Sequence, residues 1–111
     1  MDIITETTGN ATIVALQGQV NSANAQALEV QLVALVDAGA RQLVLDCAGL
    51  DYISSAGLRL VLVLAKRLKQ EGGNLVLCAM RSHVHEVFDI SGFLAILDVQ
   101  PTREGALARL L

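Results

Sequence analysis

The chain alternates between extended and helical spacing of its apolar positions, and the order of that alternation predicts an α/β domain. Ile3 to Thr8 and Ala11 to Gln17 flank the turn dipeptide Gly9-Asn10, which predicts an N-terminal β-hairpin. From Ser22 to Ala38 the apolar positions Leu28, Leu32, Leu35 and Val36 recur at helical spacing, with Asn21 or Ser22 placed to cap the helix and Gly39 to stop it. Arg41 to Asp46 and Asn74 to Ala79 are continuous apolar runs suited to strands buried on both faces. The helix-length segment Ser55 to Gln70 lies between them, so strand, helix and strand predict a right-handed crossover joining two parallel strands. His83 to Ile90 predicts a shorter helix, Ala95 to Val99 a last strand, and Pro101-Thr102 the start of a closing helix to Leu111. The expected architecture is α/β: one domain over residues 1–111, a mixed, mostly parallel sheet of about five strands with about four helices packed on it.

Composition restricts what such a domain does. At 111 residues the chain can bury one core, and with 53% hydrophobic but only 3% aromatic residues that core is aliphatic. Few rings remain for stacking on bases or sugars, and a formal net charge of -3 opposes a phosphate backbone, so nucleic acid is not an expected partner. The opening MDIITETTGN lacks the basic and apolar regions of a signal peptide, and the longest nearly apolar stretch, Leu60 to Ala65, is far short of a bilayer span. A cytoplasmic protein without membrane insertion is expected. Cys47 and Cys78 are too few for a disulfide framework, have no metal-ligand spacing, and read as small core hydrophobes.

The chemistry-bearing stretch is the junction ahead of the longest helix. With the strand expected to end at Asp46 and a loop to run from Cys47 to Ile53, the serines of Ser54-Ser55-Ala56-Gly57 fall where the helix begins. Sites of α/β domains gather at such strand carboxyl ends, where free helix N–H groups point outward. Either Ser54 or Ser55 can serve as the cap. Catalysis finds little support: the only histidines, His83 and His85, lie on another helix, and the segment is neither Gly-x-Ser-x-Gly nor a phosphate loop. His83 and His85 stand two apart and face different directions, so they read as a solvated helix face and no metal or cofactor is expected. On the helix, Leu58, Val61, Leu62, Ala65 and Leu68 form the expected inward arc. Arg59, Lys66 and Gln70 lie outward with Val63 among them and Leu60 at their edge, a plausible docking face for a protein.

Asp46-x-x-x-Leu50-Asp51-Tyr52-Ile53-Ser54-Ser55-Ala56-Gly57-Leu58 resembles the signature of the STAS domain of bacterial anti-sigma factor antagonists, and Leu16 to Asn21 and Ile90-Ser91-Gly92-Phe93 extend the resemblance along the chain. The resemblance implies that a serine at the helix start is phosphorylated by a partner kinase that is itself the anti-sigma factor, and that a PP2C-like phosphatase reverses this. Registered on Gly57-Leu58, the acceptor is Ser55, with Ser54 as second choice; Ser54 replaces the usual aspartate and Ala56 the second hydroxyl, while Asn21 stands where the family often has Asp. The implied partner surface comprises Asn21, Asp51, Ser54, Ser55, Ala56, Gly57, Arg59, Leu60 and Val63. The chain is then expected to be no enzyme but a binding module that sequesters an anti-sigma factor serine kinase while Ser55 is free, releasing a sigma factor. The alternative is a non-switching STAS subunit of a lipid-transport or sensory complex.

Overall fold

A computed structural model describes residues 2–110. The hairpin forms as expected: β1 (Asp2–Thr8) runs antiparallel to β2 (Ala11–Val20) with Thr8 opposite Ala11, so Gly9 and Asn10 alone make the turn. Gly9 supports it at φ 60°, a left-handed conformation that costs glycine little. Helix α1 (Ala25–Asp37) begins later than Ser22. Asn21 Oδ1 accepts hydrogen bonds from the N–H groups of Ala23 (2.9 Å) and Asn24 (3.2 Å), winding the intervening residues into a turn. The capping position therefore falls to Asn24, not to Asn21 or Ser22, and the Asn24 side chain turns back to the Asn21 N–H and the Gln19 carbonyl.

The largest departure is β3 (Gln42–Ile53), which runs on through the segment expected to be a loop. It pairs in parallel with β2 along its length, but the register shifts between Ala15 and Gln17 and again between Gly18 and Gln19. Leu43, Leu45 and Cys47 enter the core at the two-residue spacing of a strand, whereas Leu50 and Ile53 follow at intervals of three. Irregular pairing re-aims these side chains and hides a strand from any test for alternation.

Helix α2 (Ser55–Gln70) then leads to β4 (Asn74–Cys78), parallel to β3. Helix α3 (Ser82–Ile90), a 3-10 turn (Phe93–Ala95), β5 (Asp98–Gln100) and α4 (Arg103–Arg109) complete the chain. The last strand is shorter and later than the expected Ala95 to Val99, because Gly92 turns at φ 79° and the Leu97 N–H reaches back 2.9 Å to the Phe93 carbonyl. Apolar Phe93, Leu94 and Leu97 thus pack against the core from a turn.

The sheet order is β1-β2-β3-β4-β5, with only the first pair antiparallel. Leu28 and Leu32 of α1, Leu64 and Leu68 of α2, and Phe88 of α3 share one core with Val14, Leu43, Leu45 and Leu77 of the sheet. The opposite face is smaller: Ile13, Val44, Val76 and Cys78 are covered by Ala106 and Leu110. Both cysteines are free and wholly buried. Burial pushes the Cys47 thiol up to about 12 and the Cys78 thiol up to about 11, with the Asp46 charge adding to both. The unfolded chain ionises its thiols near the ordinary value of 9.0 while the folded chain resists, so stability should fall as pH rises above 9 toward 12. At pH 8 a thiol reagent should label neither cysteine without denaturant and both with it, followed by absorbance.

Candidate functional site

Ser54 joins β3 to α2 at the carboxyl end of the sheet, and Ser55 to Gly57 open the helix. The Ser54 N–H donates to the Val20 carbonyl at 2.9 Å, extending the sheet contact by one rung. Ser54 has extended backbone, and its hydroxyl accepts from the Gly57 N–H at 3.3 Å. Of the two serines it is therefore Ser54 that caps the helix. Ser55 becomes the first residue of α2 and is exposed to solvent.

Gly57 fixes how closely the helix approaches the sheet. A Cβ there would lie 2.6 Å from Ile53 Cγ1 and 2.8 Å from Val20 Cγ1, both on stiff, buried, β-branched side chains. Gly57→Ala should therefore destabilise the protein by about 1–2 kcal/mol in urea unfolding, although alanine is the better helix former.

A cleft of about 370 Å³ opens between the N-terminal turns of α1 and α2, lined by Ser22, Ala25, Gln26, Glu29, Ala56 and Arg59. It takes in two of the residues proposed from the sequence, Ala56 and Arg59. Gln26 and Glu29 of α1 complete its lining and lie outside the surface expected from the sequence, although their spacing on the polar face of a helix beside the junction carries that signal. Asn21 shapes the turn into α1 and stands half-buried beside this region.

Three of the expected surface residues sit differently. Gly57 is buried, as its packing requires. Leu60 is 3% exposed and belongs to the core, while Val63 is half-buried. The buried residues of α2 are Gly57, Leu58, Leu60, Val61, Leu64 and Leu68, so Leu58, Val61 and Leu68 of the expected inward arc are buried while Leu62 and Ala65 lie on its margin. The cause is α1, which packs along the flank of α2 and whose Asp37 pairs with Arg67. An arc drawn for a helix resting on a sheet alone misses that second buried flank.

Asp51, on the last part of β3, is exposed but engaged. Its carboxylate pairs with Arg81 at the start of α3, and Arg81 Nε also donates to the Ala48 carbonyl at 3.0 Å. His83 contacts the Asp51 carbonyl, so the polar face expected of that helix is partly spent in holding α3 to β3. Among the described residues no group of three or more His, Cys, Asp or Glu side chains is placed to hold a metal, and no helix is long and apolar enough to cross a membrane.

Comparison with known proteins agrees with this geometry. The STAS domain family matches residues 2–106. BtrV of Bordetella bronchiseptica, named as a candidate anti-sigma factor antagonist, is 60% identical over 96 residues, covering 86% of this chain and 83% of its own. Among solved structures, an anti-sigma factor antagonist from Mycobacterium paratuberculosis superposes with a TM-score of 0.90 at 21% identity, covering 98% of this chain and 92% of its own. The phosphorylated form of the Bacillus cell fate determinant SpoIIAA superposes at 0.75 and 20% identity, covering 99% and 100%. The chain belongs to the STAS domain family.

Proposed function

We propose that this protein is an anti-sigma factor antagonist: a binding module, without catalysis of its own, that captures an anti-sigma factor serine kinase while Ser55 is unmodified and releases it once Ser55 is phosphorylated. A PP2C-like phosphatase resets the switch. The observation that carries this reading is the division of labour at the start of α2, where Ser54 makes the cap bond and leaves the Ser55 hydroxyl exposed. An acceptor that also held the helix together would be a poor choice, because modifying it would undo the cap. Phosphate at Ser55 instead meets free N–H groups and the positive end of the dipole. The names of the relatives support the class of partner, and SpoIIAA is a relative in fold known in a phosphorylated form.

Incubation with the organism's anti-sigma factor kinase and ATP, followed by mass spectrometry, should place a single phosphate on Ser55. Ser55→Ala should abolish it and still capture the kinase. Ser54→Ala should retain phosphorylation at Ser55 while lowering stability by about 1 kcal/mol. Phosphate at Ser54 in the Ser55→Ala variant would move the acceptor by one residue. Failure of the unmodified protein to bind any such kinase would favour a non-switching subunit of another complex.

A further inference from the structure

The arginines of this chain divide unequally. Arg41 reaches Glu71, Arg67 reaches Asp37 and Glu71, Arg81 reaches Asp51, Arg103 reaches Asp46 and Glu6, and Arg109 reaches Asp98. Arg59 alone has no ion-pair partner among the described residues. It is exposed and stands one helical turn after Ser55. Arg59 lines the cleft beside Ala56, and because residues four apart on a helix have Cβ atoms about 5–6 Å apart and side chains lean toward the N-terminus, its guanidinium has the reach to swing over the turn that carries Ser55.

We infer that Arg59 is the built-in counter-charge of phosphorylated Ser55, an inference that rests on the switch proposed above. An acidic group followed four residues later by a basic one is the favourable order for a helical ion pair, and a guanidinium fork matches phosphate oxygens in pairs. The competing charges leave Arg59 available. Glu29, across the cleft, is not within ion-pairing distance, and Asp51 on β3 is held by Arg81. The inference gives phosphorylation a second effect besides adding negative charge: it draws Arg59, a residue of the proposed docking surface, onto the protein's own phosphate and away from a partner's carboxylate.

Site-specific incorporation of phosphoserine at position 55 tests this without any kinase, so the result does not depend on which enzyme modifies the protein. A phosphorus NMR titration reads the second ionisation of the phosphate, ordinarily near pH 6. With Arg59 present it should lie about 0.5 pH unit lower than in Arg59→Gln, because the cation favours the dianion, and the gap should close in 1 M salt. Arg59→Lys should recover part of the shift. Lys66→Gln, which removes an exposed cation nearly two turns further along, should change the value by less than about 0.1 unit. Equal titration of the parent and Arg59→Gln, with both folded by their melts, overturns the assignment of Arg59 and leaves the acceptor role of Ser55 standing. A normal Arg59 shift with no phosphate transferred by the kinase would instead overturn the switch.

Discussion

Phosphorylated on Ser55, the protein should bind its anti-sigma factor at least about 100-fold more weakly than the unmodified form, near 3 kcal/mol, while its folding stability changes by less than about 1 kcal/mol. The two effects differ because the phosphate meets two environments. In the free domain it sits in water at the N-terminus of a helix of 16 residues, where the dipole contributes about 0.3–1 kcal/mol in its favour. The nearby acid of the signature, Asp51, opposes it little, because Arg81 already neutralises that carboxylate. In the complex the phosphate must surrender water, and a near-dianion that the single cation of Arg59 only partly neutralises still costs several kcal/mol to bury. A cluster of arginines on the anti-sigma factor would reverse the sign, so the direction expected rests on the proposed switch. Calorimetric titration of both forms, alongside thermal melts, measures the two quantities separately. Equal affinities would sink the mechanism, and so would a melt in which phosphorylation unfolds the domain.

Much of the local structure around this junction is legible from residue order because local chemistry dominates there. The span of α2 is marked by a capping serine at one end and by Gly72-Gly73 beyond the other, and it appears where the pattern put it. Gly57, the residue on which the register of the junction is anchored, has a steric role of its own, since any side chain there would collide with Ile53 and Val20. What the pattern could not supply depends on contacts between distant segments. The choice of cap between Ser54 and Ser55 depends on the bond from the Ser54 N–H to the Val20 carbonyl, which accompanies extended backbone at Ser54. The second half of β3 was hidden by shifts in its pairing with β2, which no reading of one strand alone reveals. The burial of Leu60 follows from α1 lying against α2, a tertiary fact that helical periodicity does not contain.

Away from the site, Arg103→Met should destabilise the protein by about 2–3 kcal/mol at pH 7. Asp46 is 8% exposed on the smaller face of the sheet, the one charged residue of the described chain buried to that degree. Arg103 at the start of α4 holds it, with Nε 2.9 Å and Nη2 2.8 Å from Asp46 Oδ2, and reaches Glu6 of β1 with Nη1 at 2.8 Å. The other Asp46 oxygen accepts from the Ala48 N–H at 3.0 Å. Methionine keeps most of the arginine's packing length but removes the charge, so the loss reports the carboxylate left without a cation rather than a cavity. It falls at or below the lower end of the range for fully buried pairs because Arg103 retains some exposure, 33% of its side chain. Glu6→Gln, which breaks only the exposed arm of the triad, should cost less than about 1 kcal/mol. The double variant Asp46→Leu with Arg103→Met should recover stability to within about 1 kcal/mol of the parent, since an apolar pair replaces an ionic one on a face already lined by Ile13, Val44 and Val76. Urea unfolding of the three variants decides the matter. If Arg103→Met is as mild as Glu6→Gln, water reaches Asp46 in the folded protein and the second face of the sheet is held by Ala106 and Leu110 alone.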